Sequence, residues 1–349
     1  MAGMSSFATA EDVAWLRLDE PTSAGAARRA AAKLARQLGL SASRVAEVGL
    51  AVTEMATNVH SHAGGGALLL RAIRTGSSAA VEIVTVDTGP GIVDITAARR
   101  DGQSTAGTLG IGLGAVARLA DQLDIASRPG HGTVLTARFE SDRQARPTLR
   151  ADAAGPLAAG ITRALAGETI CGDAYAVRPD GPRVSLMVCD GSGHGPLAAA
   201  AAAQAVRAFS DSTQPVSPPE AAMLRIHRAL AGTRGSAVAI AELDPPAGRL
   251  RFVGIGNIAG ALINAREKRG LISIGGIAGY REPTVRPFDY LLQADSVVIL
   301  HSDGVSPQWG VEALDDPVAK PPLVIAATLL RDAGIRRDDA CVVVAKVNR

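Results

Sequence analysis

Apolar positions recur every three to four residues from Ser23 to Leu38 and from Ala42 to His62, a period that predicts two amphipathic helices. Short apolar runs follow at Ala67 to Ile73 and Ala80 to Asp87 and predict strands; a glycine-rich loop comes next. A helical period then runs from Leu113 to Leu123, and a strand pattern from Thr133 to Phe139. The texture changes at "SDRQARPTLRADAAGP", which is polar, holds two prolines and has no apolar period. It predicts a linker at 141–156 between a domain of residues 1–140 and another of 157–349. The second domain is richer in strands: "RVSLMVCD", "SAVAIAELD", "RLRFVGIG", "GALINA", "SVVILHSD" and "ACVVVAKV" are all short and apolar. Its helical patterns run from Pro196 to Phe209, Pro218 to Leu230 and Pro322 to Ala333, each opening on proline. The class is mixed α/β (α+β), without an internal repeat.

Composition narrows the partners. The 36 basic and 34 acidic residues of this 349-residue chain nearly cancel, and aromatic residues make up 3%. Neither a basic field nor a stacking surface for bases is indicated, so nucleic acid is excluded as an expected partner. Three cysteines, Cys171, Cys189 and Cys341, lie far apart in apolar runs and read as buried thiols of a reducing compartment. No window has the length and apolarity of a membrane-spanning helix, and "MAGMSSFATAEDVAW" lacks a leader pattern. The expected location is the cytoplasm, with no membrane partner.

In the first domain, Glu54, Asn58 and His62 fall at i, i+4 and i+8 of one helix and form a polar stripe. At the end of a strand, "VDTGPGI" places Asp87 before Gly89 and Gly91, where a carboxylate can accept a bond from an exocyclic amine or simply cap a turn. "GTLGIGLGAV" then sets Gly107, Gly110, Gly112 and Gly114 before a helix, a spacing that lets backbone amides approach phosphate oxygens. Together these boxes resemble the ATP-binding fold shared by gyrase, the heat-shock-90 chaperones, histidine kinases and the small anti-sigma-factor serine kinases. The likeness spans about Asp12 to Phe139 and is greatest to the switch kinase (RsbT type) of the bacterial stressosome. It implies a GHKL-type ATPase α/β sandwich that uses ATP with Mg2+. Asn58 would ligate the magnesium, Asp87 would accept the adenine amine, and Gly89, Gly91, Gly110, Gly112 and Gly114 would line the nucleotide, with Thr133 near the adenine. Glu54 becomes the candidate base that orients an attacking hydroxyl. His62 is read as structural.

In the second domain, "VCDGSGHG" ends an apolar run on Asp190, beside Gly191. Asp173 in "CGDAY", Asp303 in "HSDG" and the pair Asp338-Asp339 occupy similar strand-end positions. One Asp-Gly step is ordinary turn chemistry. Several strand-end carboxylates would repel one another unless cations neutralised them, and oxygen ligands suit hard cations. Two such ions roughly 3.5 to 4 Å apart can activate water for attack on phosphorus. In this order, GDxY, DGxGHGxxAA, SDG and DDA resemble the metal-dependent PPM serine/threonine phosphatases, in the bacterial branch related to SpoIIE. The likeness spans about Gly167 to Val347, and the compact form is nearer to the RsbX type. It implies a PPM-type αββα sandwich with two Mn2+ or Mg2+: Asp190 bridging, the Gly191 carbonyl on one ion, Asp173 and Asp303 completing the sites, and Asp338 last, with Asp339 as the substitute. His194 would support the loop. "RFVGIGNIAG" mimics a dinucleotide fingerprint, but no helical pattern follows it.

The resulting expectation is a bifunctional partner-switching regulator that phosphorylates and dephosphorylates serine or threonine on a STAS-type protein, either anti-anti-sigma or stressosomal. A sigma factor or downstream switch protein is a further expected partner, and a homodimer is left open. Two alternatives stand beside it: a phosphatase with a non-catalytic ATP-sensing domain, and a non-enzymatic anti-sigma-like binding module.

Overall fold

Ser41 opens the second helix as a side-chain N-cap, accepting from the Arg44 amide at 3.3 Å, and Gly64 closes it in the left-handed conformation. In the computed structural model, residues 9–75, 78–98, 112–142, 157–211, 216–264, 267–281, 283–335 and 337–347 are described. Gly107, Gly110 and most of the expected linker lie outside them. The chain forms two compact units, Met1–Thr148 and Leu149–Arg349.

The first unit is a two-layer α/β sandwich. Its strands are β1 (Thr9–Arg17), β2 (Ala67–Arg74), β3 (Ala79–Val86), β4 (Gln122–Arg128) and β5 (Gly132–Glu140), joined in an antiparallel sheet of order β1-β2-β3-β5-β4. Helices α1 (Ser23–Gln37), α2 (Ala42–Ala63) and α4 (Gly112–Leu119) lie on one face; α3 is a single turn, Ile95–Ala98. Their apolar stripes, among them Ala27, Leu34, Val48, Val52, Met55 and Val116, meet Leu68, Leu70, Ile83, Leu135 and Phe139 of the sheet.

Two elements differ from the sequence reading. The helix expected to reach Leu123 stops at Leu119, because the Asp121 amide donates to the Arg138 carbonyl at 2.9 Å and its Oδ2 accepts from the Glu140 amide at 2.8 Å, which starts β4 on the β5 ladder. Leu113, Val116, Leu119 and Leu123 keep helical spacing across that boundary, so periodicity alone runs through it. The edge strand β1 fully buries none of its residues and has a register shift between Asp12 and Ala14, which blurs its alternation.

The second unit is an αββα sandwich of two five-stranded antiparallel sheets. One has the order β13-β10-β9-β8-β7, built from β7 (Asp173–Asp180), β8 (Arg183–Gly191), β9 (Ser236–Asp244), β10 (Arg249–Ile255) and β13 (Phe288–Leu291). The other has the order β12-β11-β14-β15-β6, from β6 (Leu157–Arg163), β11 (Ala259–Asn264), β12 (Glu267–Leu271), β14 (Val297–His301) and β15 (Ala340–Lys346). Val184, Leu186, Val188, Phe252, Leu262, Leu300 and Val343 fill the space between the sheets. Helices α5 (Pro196–Ser210) and α6 (Pro219–Ala229) cover the first sheet through Ala201, Ala205, Met223 and Ile226. Helix α7 (Pro322–Ala333) packs on β15 and β6. The segment after β10 enters β11 as a strand, so the glycine pattern there serves a sheet-to-sheet crossing.

Candidate functional site

Strand pairing brings the first two acids of the second unit together. In the β7–β8 ladder Asp173 stands directly opposite Asp190, a position where like charges destabilise the pair. Neighbouring β14 and β15 deliver the others from the second sheet: Asp303 follows the end of β14, and Asp338-Asp339 precede the start of β15. Gly304 permits that approach, since a Cβ there would stand 1.8 Å from the Asp339 carbonyl oxygen. Ser302 ties the two strands further, with its Oγ accepting from the Cys341 amide at 2.9 Å.

The electrostatics follow from this convergence. Burial pushes the Asp173 carboxyl up to about 8, and Asp190, Asp339 and Asp303 push it the same way. Burial raises Asp190 to about 7, followed by repulsion from Asp303 and Asp338, with Asp303 near enough to share a hydrogen bond. Asp338 is raised by burial and then by Asp303. Asp173 Oδ2 is buried without a hydrogen-bond partner, an arrangement that costs free energy in the absence of a cation. Among the described residues no three His, Cys, Asp or Glu side chains form a ready-made metal cage. Hard divalent cations fit this donor set: carboxylate oxygens, one of them buried and unpartnered, beside the backbone of Gly191.

The two adjacent acids are placed differently. Asp339 is 2% exposed, and its oxygens accept from the Leu165 amide at 2.8 Å and the Gly172 amide at 2.9 Å. Asp338 is half-buried and accepts from the Asp339 amide at 2.9 Å. His194 is exposed at the rim, its Nδ1 3.2 Å from Glu168 Oε1. One participant carried no role in the sequence reading. The Asn257 amide, in the turn between β10 and β11, donates to Asp303 Oδ2 at 2.6 Å. The only sequence signal was an asparagine after a strand-ending glycine, inside the segment that mimicked a dinucleotide motif.

In the first unit, Asp87 follows β3 and its Oδ1 accepts from the Gly89 amide at 2.9 Å and the Thr133 amide at 3.1 Å. Thr133 Oγ1 lies 2.8 Å from Ser127 Oγ, which accepts from the Ile92 amide at 2.7 Å. Gly91 has φ +73°, and a Cβ there would stand 2.4 Å from the Arg128 carbonyl oxygen, so the loop closes over β4 only with glycine. Asn58 is half-buried one turn beyond Glu54 on α2. Glu54 Oε1 accepts from the Gly112 amide at 3.1 Å, at the start of α4, and Gly114 is buried within that helix. His62 is exposed in the last turn of α2.

Residues 18–139 match the family of histidine kinase-like ATPase domains, and residues 180–348 match the stage II sporulation protein E (SpoIIE) family. Over 112 residues the chain is 36% identical to the serine/threonine-protein kinase RsbT of Bacillus subtilis (strain 168), which covers 32% of this chain and 84% of that protein. A solved chain from work on the bacterial stressosome, as a modular system adapted to control secondary messenger signalling, is 29% identical with a TM-score of 0.51, over 54% of this chain and 98% of its own. RsbX in complex with magnesium is 20% identical with a TM-score of 0.48, over 55% of this chain and 94% of its own. Among the described residues no helix is long and apolar enough to cross a membrane. Through its first unit, an ATPase-type α/β sandwich, this chain belongs to the family of RsbT-like switch kinases, and that unit is joined to an αββα sandwich that matches the SpoIIE family.

Proposed function

We propose that one chain both adds phosphate to and removes it from serine or threonine on a STAS-type protein in a cytoplasmic partner-switching pathway. The observation that carries the erasing half is the buried, unpartnered Asp173 Oδ2 among carboxylates from both sheets. In this reading Asp190, Asp173, Asp303, Asp338 and the Gly191 carbonyl hold two Mn2+ or Mg2+ ions. When bound, the ions supply charge neutralisation at phosphorus and an activated water. Asp190 is central because it faces Asp173 across the ladder and Asp303 across the sheets. Asp338 takes the last ligand position, since both oxygens of Asp339 already serve backbone amides. The substrate serine leaves as an alcohol; no residue forms a covalent intermediate.

For the writing half, Asp87 receives the adenine amine while Gly89 and Thr133 fix its other oxygen, and Asn58 serves the magnesium of ATP. Gly91, Gly110, Gly112 and Gly114 give the nucleotide close access to backbone, and Glu54 orients the attacking hydroxyl. One observation favours a second reading, in which this unit only senses ATP: the Gly112 amide at the start of α4 donates to Glu54 Oε1, which ties that carboxylate to the nucleotide loop and leaves Oε2 alone to orient a hydroxyl.

Two assays separate these readings. Manganese-dependent phosphate release from a phosphorylated STAS protein is expected to vanish with Asp190→Asn and leave ATP binding intact. Undiminished release by that variant removes the phosphatase site. Label transfer from ATP to the unphosphorylated STAS protein is expected from the full chain. No transfer leaves the sensing role in place of the kinase.

A further inference from the structure

Asn257 lies where the chain crosses from one sheet of the phosphatase unit to the other. Strands β8 and β10 both flank β9 in antiparallel fashion, so they run the same way and end at the same edge, β8 on Asp190-Gly191 and β10 on Ile255, two residues before Asn257. In the second sheet Ala259 of β11 stands opposite His301 of β14. Asn257 precedes Ala259 by two residues and Asp303 follows His301 by two, so the registers of both sheets deliver Asn257 to Asp303. The contact is short, 2.6 Å from Nδ2 to Asp303 Oδ2, although Asn257 is exposed and water could serve it equally. A carboxylate partner can only accept, so the amide must present its nitrogen.

We infer that Asn257 is a positioning residue of the metal centre, a neutral clamp that holds the Asp303 carboxylate in the centre before the cations arrive. This inference rests on the metal-dependent phosphatase reading above. Asp303 faces Asp190, Asp173 and Asp338, whose ionised forms all repel it, and that repulsion would swing an unrestrained surface aspartate into solvent. A charge-assisted hydrogen bond opposes that swing. The residue type matters. Lysine or arginine in this place would hold Asp303 but also neutralise it, in competition with the ions. Aspartate would have the right shape but would add another repelling charge. A carboxamide holds the oxygen and leaves the negative field intact.

The experiment uses the full-length chain, with Mn2+ binding measured by calorimetry and melting measured in chelator. Asn257→Ala is expected to weaken Mn2+ binding about 10-fold, the usual effect of losing a partner behind a metal ligand. The KM for a phosphorylated substrate at saturating Mn2+ is expected to stay as in wild type. Melting in chelator is expected to be unchanged, because the side chain is exposed. Asn257→Asp keeps the shape but turns the donor into an acceptor, and is expected to melt lower in chelator and to recover with Mn2+. Wild-type Mn2+ affinity in Asn257→Ala overturns the inference. So does a loss of metal-free melting temperature in Asn257→Ala equal to that in Asn257→Asp, the mark of a merely structural side chain. A wild-type protein that binds no Mn2+ overturns the metal reading and this inference together, whereas normal binding by wild type and Asn257→Ala alike removes only the clamp.

Discussion

Asp338 and Asp339 are neighbours of identical chemistry, and the structure predicts opposite consequences for their loss. Asp339 is 2% exposed and receives two backbone amides, Leu165 at 2.8 Å and Gly172 at 2.9 Å. Asp339→Ala leaves both donors unpaired inside the unit. A buried unsatisfied donor costs about 1–3 kcal/mol; the Gly172 amide is buried and the Leu165 amide part-buried, so the gross penalty is about 2–5 kcal/mol. Part is returned, because removing this charge relieves Asp173 and Asp190, both of which Asp339 repels. A net loss of about 3 kcal/mol lowers the melting temperature of a domain this size by about 6–12 °C. Asp338→Asn keeps an oxygen for the Asp339 amide and removes one charge from a repelling set, so metal-free melting is expected to hold or rise slightly. Its Mn2+ affinity and phosphate release are expected to collapse. Both variants are measured twice, by thermal melting in chelator and by Mn2+ titration. The assignment fails if Asp338→Asn melts low but binds Mn2+ normally, or if Asp339→Ala melts as wild type and loses only the metal.

Three further outcomes follow from the same geometry. Burial and mutual repulsion raise Asp173 to about 8 and Asp190 to about 7, above the ordinary 3.8, so the fold favours their protonated forms; the penalty is full above those values and is relieved progressively as pH falls from them toward 3.8. In chelator the phosphatase unit is therefore expected to gain melting temperature from pH 8.5 to about pH 6, and a flat or falling profile in that window contradicts the convergence. Arg71, 1% exposed, holds Asp12 and Glu82 at 2.6 Å each; Arg71→Met takes this partner from two half-buried carboxylates and is expected to cost about 1.5–3 kcal/mol in denaturant unfolding of the first unit, with a loss under about 0.5 kcal/mol counting against the network. Asp87→Asn retains an oxygen for the Gly89 and Thr133 amides but presents an amide to adenine, so ATP affinity is expected to fall at least about 10-fold at unchanged nucleotide-free melting; equal affinity in a filter-binding or calorimetric assay would remove Asp87 from the adenine site.

What could be read from residue order alone divides along physical lines. Helix α2 and strands β8, β9 and β15 are periodic and strongly apolar, and their patterns place them almost to the residue. The segments β1, β6 and β7 escape notice because β1 has broken alternation and β6 and β7 mix small and polar residues, and β1 and β6 gain their strand character from partners far along the chain. The site shows the same division. Asp173, Asp190 and Asp303 stand out in the sequence because each sits at a strand end beside glycine, a local mark. The choice between Asp338 and Asp339 is not local: it depends on which carboxylate the Leu165 and Gly172 amides reach, and those lie more than 160 residues upstream. Asn257 is harder still, because its role arises from two registers, one in each sheet, that no short window contains. Carboxylates gathered where two sheets meet thus carry their own local marks in the sequence, while the side chains and amides that hold them appear only once the strands are paired.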